Sequence, residues 1–485
     1  MSFHVAMTDA FERDAASHLL RNDGQEDLCF GVWFPSRGRR RTTAVLSRLI
    51  LPEDGDRQVH GNASFNGKYF ERALEVALEV GGGLVFFHSH PQGSGWQGMS
   101  PDDRQAEAGM SGGVLSATGL PLVGVTLAGQ DTIWSGRFWD RGSRKAHVPH
   151  HCESVRTVGE SLRMSFNPGL APPPDLGDRI VRTISAWGRE VQEDISRLRI
   201  GVIGLGSVGS IVAEALARSG IRDVLFLDFE SIERVNLDRT LNAKTKHADR
   251  GDAKVVVAKR AFLENAVVRP PKVDGSELSV CEEEGYRQAL DCDVLFSCVD
   301  RPWPRSVLNF IAYAHLIPVV DGGIHVSRRP NGRMRGADWK AHVATFGRRC
   351  LECMGQYDPG LVSVEREGYL EDPSYMEKLP GDHPLRAREN VFLFSLAAAS
   401  LEVLQMLMMV VAPSGVGSYG GQNYHLVTGD LDLDVRGCEP GCPYREMVAR
   451  GEAAGNAGVI PLHGAAEAAR ILRRQPRVKT RRRSR

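Results

Sequence analysis

The chain has 485 residues, too many for a single hydrophobic core, so two or three domains are expected. Sixty Lys and Arg balance sixty Asp and Glu, and 42% of the residues are hydrophobic, which excludes a disordered, fibrous or uniformly basic nucleic-acid-coating protein. Nine cysteines, an odd number, without a secretory leader in MSFHVAMTDAFERDAASHLL, predict a cytoplasmic protein whose thiols are metal ligands or buried, not a disulfide framework.

In chain order, a helix is predicted near Asp9 to Leu20, followed by Glu26 and an alternating strand, DLCFGVWF. A second strand is predicted over Thr42 to Leu51, then a helix over Lys68 to Val80 in which Phe70, Leu74 and Ala77 recur at helical spacing. LVFFHSHPQ reads as a strand. Residues two apart on a strand share a face, so His88 and His90 can reach one metal ion while Ser89 turns away. In SPDD, Ser100 and Pro101 would start a helix whatever its function, with Asp102 and Asp103 suited to its dipole. Two histidines and Asp103 make a three-ligand zinc set with a position left for water, and Glu26 is a carboxylate able to take that water's proton.

Glu26, His88-Ser89-His90 and Ser100-Pro101-Asp102-Asp103 together resemble the JAB/JAMM metalloprotease family, over about residues 5 to 145. The resemblance implies that His88, His90 and Asp103 hold zinc, that Glu26 is the general base, and that Ser100 supports the tetrahedral oxyanion. Nine residues separate His90 from Ser100 where the family signature has seven, and Gly98 stands where the family's serine would fall, so a two-residue insertion is expected around GSGWQG.

Beyond strands near PLVGVTL and TIWSGRFW, HVPHHCES and NPGLAPPPDLGD predict a proline-rich linker over 151–177. A helix from Asp178 then leads into RIGVIGLGSVGS, a buried strand running into a turn formed by Gly204, Gly206 and Gly209, with a second strand ending at Asp228. Such a turn brings backbone amides to a phosphate at a helix N-terminus. Hydride transfer to a dinucleotide develops no charge on the phosphates, whereas cleavage of a triphosphate does. Asn236, Arg239 and Lys254 after the second strand, with Asp300 ending the strand DVLFSCVD as a candidate magnesium ligand, therefore favour ATP over NAD.

GLGSVG, Asp228, Asn236-Leu237-Asp238-Arg239, Lys254 and Asp300 resemble the ThiF-type, ubiquitin-activating-like adenylyltransferases over about residues 178 to 445. The resemblance aligns Arg182 with an arginine that reaches into a partner subunit's site, which implies a homodimer. It also implies adenylation, with Mg2+ and ATP, of the C-terminal carboxylate of a ubiquitin-like protein. The pairs Cys350/Cys353 and Cys438/Cys442, each flanked by glycine or proline, suit a four-thiolate structural zinc site. No cysteine lies between Cys353 and Cys438, where related enzymes keep a thioester-forming thiol, so transfer to a separate conjugating enzyme is expected.

The expected fold class is α/β: a JAB/MPN-like mixed α/β domain over 1–150, a Rossmann-like, doubly wound, mainly parallel ThiF-type domain with its zinc site over 178–450, and a short helix with a basic tail over 451–485. The apolar stretch Val391 to Pro413 contains Ser395, Ser400, Glu402 and Gln405 and reads as a core or dimer-interface helix, with no membrane partner. RRQPRVKTRRRSR reads as a solvated, disordered tail, not a dedicated nucleic-acid site. The functional expectation is a bifunctional enzyme that trims or deconjugates a ubiquitin-like protein and activates its tail. The alternatives are the same chemistries serving sulfur-carrier thiocarboxylate formation, and a non-catalytic scaffold for ubiquitin-like tails.

Overall fold

The computed structural model describes residues 1–60, 62–142, 146–379 and 389–474. The N-terminal unit holds strands β1 (Ser2–Thr8), β2 (Leu28–Arg37), β3 (Arg41–Ile50), β4 (Arg57–His60), β5 (Asn62–Phe65), β6 (Gly83–His90), β7 (Leu122–Ala128), β8 (Trp134–Arg141), β9 (His147–His151), β10 (Ser154–Val158) and β11 (Leu162–Phe166). Nine of them form one sheet in the order β11-β10-β1-β3-β2-β6-β7-β8-β9, with β4 and β5 as a separate hairpin.

Helices cover both faces of this sheet, so its central strands are buried on both sides. From β2 and β6, Cys29, Trp33, Val85 and Phe87 pack with Phe11, Ala15 and Leu19 of the helix Asp9–Leu19. The alternate residues Leu28, Phe30, Val32, Leu84 and Phe86 pack on the other face with Tyr69, Ala73 and Ala77 of helix Gly67–Glu79 and with Met110 and Val114 of helix Pro101–Thr118. The strand period of two therefore decides which helix each strand residue meets.

Two sequence expectations change here. Residues 147–166, expected to lie at a domain edge and in a linker, form β9 to β11, and β10 pairs in parallel with β1; the irregular connection shrinks to the residues after Phe166. The first strand, Ser2–Thr8, was also absent from the expected elements. Both segments lack strict alternation: β1 is SFHVAMT and β10 SVRTV, and both are largely buried.

The second unit has strands β12 (Arg199–Ile203), β13 (Asp223–Leu227), β14 (Lys272–Ser276), β15 (Val294–Ser297), β16 (Val319–Arg328), β17 (Met334–Ala344), β18 (Gly421–His425) and β19 (Leu431–Asp434) in one sheet of order β14-β13-β12-β15-β16-β17-β18-β19. The first five are parallel and the last three antiparallel, so the expected mainly parallel sheet is a mixed one. Connections leave β12 towards β13 on one side, while β15 lies on the other, so the strand order reverses between β12 and β15. A ligand crevice is expected at the carboxyl ends of those two strands.

Helix Phe392–Val411 is long and apolar enough by length and composition to cross a membrane. It packs against β16, β17 and helix Ser207–Arg218, with Ser395, Glu402 and Gln405 buried, while Leu393 and Leu404 are exposed. Helix Gly464–Arg474 docks through Arg470 on Glu282 and Arg473 on Glu277, so the basic stretch is ordered at its first two residues; residues 475–485 lie outside those described. The two units share a core in which Ala6, Val45, Val158 and Leu162 pack with Ile195, Leu198 and Ile200.

Candidate active sites

In the N-terminal unit, β6 turns His88 and His90 to the face covered by helix Pro101–Thr118, whose first turn carries Asp103. Ser89 points to the opposite face and donates to Leu19 O at 2.8 Å. The Nε2 atoms of His88 and His90 lie 3.5 and 3.4 Å from the same Asp103 Oδ2. Two ligands held at about 2.05 Å around a tetrahedral zinc ion would stand about 3.3 Å apart. The three ligand atoms lie within 4.8 Å of one another, and the donor set and spacing fit zinc. His88 Nδ1 is buried with no hydrogen-bond partner, and Glu107 Oε1 is 4.0 Å away.

Ser100 is the N-cap of the helix: its hydroxyl accepts from Asp103 N at 3.1 Å, and Asp103 Oδ2 accepts from Ser100 N at 2.8 Å. This capping box fixes the Asp103 rotamer that faces the histidines. Burial alone would raise the Asp103 carboxyl, but its contacts with His88 and His90 outweigh burial and hold it far below the usual range. Antiparallel pairing of Leu28 with His88 brings Glu26, two residues before Leu28, beside His90. Burial pushes Glu26 upward, against the opposing pull of His90 and His88.

Glu107 was not singled out from the sequence. It lies one helical turn after Asp103, fully buried, and accepts from Arg137 Nε at 2.8 Å, while Thr126 Oγ1 takes a further Arg137 donor at 2.8 Å and sits 3.2 Å from His88 Nε2. The i, i+4 spacing from Asp103 was the available signal.

In the second unit, the glycine turn follows β12 at the crevice. Gly204 has φ +88°, and a Cβ there would meet Cys298 O at 2.4 Å; a Cβ on Gly209 would strike Gly204 O at 2.0 Å. A Cβ on Gly206 would meet nothing within 4 Å, so the turn is open on the side where helix Ser207–Arg218 presents its free amides. The buried Asp228 accepts from Leu205 N at 2.7 Å and from Glu230 N at 2.7 Å. Glu230 in turn pairs with the buried Lys254. Burial pushes Asp228 up while Lys254 opposes it; burial pulls Lys254 down, but Asp228 and Glu230 outweigh it and keep the ammonium charged.

Asp300 lies just beyond β15 and contributes to the field on Lys254. Asn236 closes a helical turn by accepting from Glu233 N at 2.9 Å, and Arg239 donates to Val235 O and to Asp238. Leu241 N donates to Ser210 Oγ at 2.9 Å, tying this loop to helix Ser207–Arg218. Arg182 is exposed on a separate short helix, Val181–Trp187. Asn390, unremarked in the sequence, donates to Ser207 Oγ at 2.7 Å at the start of helix Ser207–Arg218.

This crevice carries a glycine-rich turn between strand and helix, and the model of the ThiF family matches residues 178–411. Those residues form a ThiF-family domain. Residues of the chain are 28% identical over 141 residues to ubiquitin-like modifier-activating enzyme 5 of Drosophila virilis, covering 26% of this chain and 34% of that protein. They are 28% identical over 174 residues to the molybdopterin-synthase adenylyltransferase of Escherichia coli K12, covering 34% and 61%. The chain thus spans less than two thirds of each of these relatives. A crystal structure of E. coli MccB with succinimide superposes with a TM-score of 0.42 at 18% identity, covering 55% of this chain and 74% of MccB.

The second unit also gathers Cys350 and Cys353, within the matched residues, with Cys438 and Cys442, beyond them; the four sulfurs lie within 4.8 Å of one another. Cys350 Sγ is 3.7 Å from Cys442 Sγ, against about 3.8 Å for two thiolates at about 2.3 Å on a tetrahedral zinc. Cys438 Sγ accepts from Cys350 N at 3.2 Å and Cys350 Sγ from Cys353 N at 3.3 Å. The donor set fits a structural zinc. Of the other cysteines, Cys29, Cys152, Cys281 and Cys292 are buried, and Cys298 lies beneath the glycine turn.

Proposed function

We propose that this chain is a bifunctional enzyme acting on the C-terminal tail of a ubiquitin-like protein: a zinc isopeptidase of the JAB/JAMM type in its N-terminal unit and an ATP-dependent adenylyltransferase in its ThiF domain. The observation that carries the adenylation reading is the hydrogen-bonded chain from the glycine turn through Asp228 and Glu230 to Lys254, at the switch point of the sheet. Relatives whose names denote adenylylation or activation of ubiquitin-like modifiers support it.

In this reading the amides at Gly206 and Ser207 bind phosphate, Asp228 holds the ribose, and Asn236, Arg239 and Lys254 stabilise charge as pyrophosphate leaves. The pairing of Lys254 with Glu230 keeps the ammonium charged and poised in a buried site until a triphosphate displaces that partner. Asp300 would hold Mg2+, which screens the phosphate charge. The product is an acyl-adenylate on the substrate's terminal glycine. Arg182, exposed on its own helix, acts in the site of a second copy in a homodimer, and the exposed apolar side of helix Phe392–Val411 fits a subunit contact.

In the N-terminal unit, His88, His90 and Asp103 would hold a zinc ion, which would supply Lewis acidity and acidify a water. Glu26 takes the proton from that water and passes it to the leaving amine, and its raised affinity for protons suits both steps. Ser100 stands at the helix start beside Asp103, where it would face the developing oxyanion. The nine unpaired cysteines suit a cytoplasmic setting, and a separate conjugating enzyme would receive the adenylated tail.

A second reading, favoured by the molybdopterin-synthase adenylyltransferase likeness, keeps both chemistries but delivers the adenylate to a sulfur donor. The test is intact mass spectrometry of a ubiquitin-like protein carrying its natural C-terminal residues, incubated with the enzyme, zinc and MgATP. A clipped tail and an added AMP are expected; added sulfide distinguishes the second reading by a thiocarboxylate mass, and neither change with metal-replete enzyme across several ubiquitin-like folds overturns both.

A further inference from the structure

The loop between His90 and Ser100 is longer than the protease resemblance requires, and its extra residues are not slack. Gln97 donates from its side-chain amide to Ser94 O at 2.8 Å and to Gly95 O at 3.0 Å, and its backbone N–H donates to Ser135 Oγ at 2.7 Å. Asp131 anchors the same loop by accepting from Ser94 Oγ at 2.8 Å and Gly95 N at 2.6 Å. With the amide nitrogen committed to two carbonyls, the Gln97 oxygen Oε1 is turned the other way, to 3.1 Å from His90 Nδ1. Gly93 makes room for it, since a Cβ there would come within 2.5 Å of that oxygen.

We propose that Gln97 is a positioning residue for the metal site: its carboxamide oxygen accepts from His90 Nδ1–H, fixing the tautomer in which Nε2 carries the lone pair directed towards Asp103 and His88. A carboxamide oxygen only accepts, so the imidazole nitrogen facing it must be the donor. The other nitrogen, 3.4 Å from Asp103 Oδ2, is then the one free to bind a cation. Partners of this kind fix ring orientation and raise ligand basicity, and their loss typically costs about 10- to 100-fold in metal affinity. The loop in which the spacing departs from the family signature thus supplies this residue. This inference rests on the reading of His88, His90 and Asp103 as a zinc set.

The test uses the full chain with its cysteine site loaded and measures zinc affinity of the second site by competition with a chelator, alongside the His90 imidazole nitrogen shifts of the protein without zinc at that site. Gln97→Ala is expected to weaken zinc by about 10- to 100-fold and to mix the two tautomers. Gly93→Ala, whose added methyl would crowd the Gln97 carboxamide, is expected to do the same. Wild-type affinity in Gln97→Ala, or a His90 Nδ1 that carries no proton in the unsubstituted protein, overturns the role of Gln97. Zinc binding unchanged by His88→Ala and His90→Ala overturns instead the metal reading on which it stands.

Discussion

The Arg41 guanidinium donates to the Asp293 carboxylate across the boundary between the two units, and both side chains are almost completely buried. Asp293 also accepts from Arg199 N at 2.9 Å and lies 3.5 Å from Arg156, whose other donors reach the carbonyls of His315 and Leu316. Burial works against the Asp293 charge, but Arg41 and Arg156 outweigh it and hold the carboxyl below its ordinary value. Replacing Asp293 by Ala strands two buried guanidinium groups and is expected to cost about 3–5 kcal/mol of stability. Calorimetry should show this as a lower, less cooperative transition, because the units that share this contact are joined by it.

His315 sits at the same boundary, between Ser36 Oγ at 2.8 Å and Tyr286 OH at 2.7 Å. Burial, aided by Arg156 and Arg287, lowers its pKa to about 3. The unfolded chain therefore takes up the proton first as pH falls. The stability that neutral His315 contributes is complete above the unfolded value of about 6.5 and is lost progressively from there towards pH 3, by up to about 1.4 kcal/mol per pH unit. Urea unfolding across the acidic range should show a shallower pH slope in His315→Gln.

Glu26→Gln is expected to abolish isopeptide hydrolysis while leaving zinc in place, since the carboxamide cannot take a proton and Glu26 is outside the three-ligand set. In the unsubstituted enzyme, activity needs the ionised carboxylate. Because burial raises its pKa, activity should fall on acidification while an ordinary carboxylate would still be charged. A pH–rate profile of hydrolysis, with metal content measured at each point, checks both statements.

Lys254→Ala and Arg239→Ala are each expected to lower ATP–pyrophosphate exchange about 100- to 1000-fold, the usual effect of removing one group that stabilises transition-state charge. Lys254→Ala also leaves Glu230 unpaired beside Asp228, so it should weaken nucleotide binding as well; equilibrium binding of ATP separates the two effects. Exchange at the unsubstituted rate in both variants would remove them from the mechanism.

Zinc stoichiometry by native mass spectrometry should be two per chain. Cys350→Ser and His90→Ala are each expected to reduce it to one, but only Cys350→Ser should lower thermal stability sharply, because the four sulfurs join the segment after β17 to the segment after β19.

Much of both candidate sites was legible because their residue patterns are local. The glycine turn, the strand spacing of His88 and His90, and the capping pattern that places Asp103 each depend on a few adjacent residues and on the fixed periods of strand and helix. Paired cysteines announce themselves by spacing in the same way. The sequence by itself therefore determined which residues are candidates.

Tertiary structure decided what was too distant in the chain to be read. Strands β10 and β11 looked like linker because their alternation is weak; they belong to the sheet because β1, about 150 residues earlier, offers a parallel partner in register. The antiparallel half of the second sheet, the burial of Glu107 behind His88, and the clasp of Arg41 and Arg156 on Asp293 likewise come from contacts between remote segments. Gln97 is the sharpest case. In the sequence it is one polar residue in an insertion, and only the folding of that loop onto Ser135 and Asp131 turns its oxygen towards His90. Local periodicity is written residue by residue, whereas the partner of a buried polar group is chosen by packing, which no short stretch of chain contains.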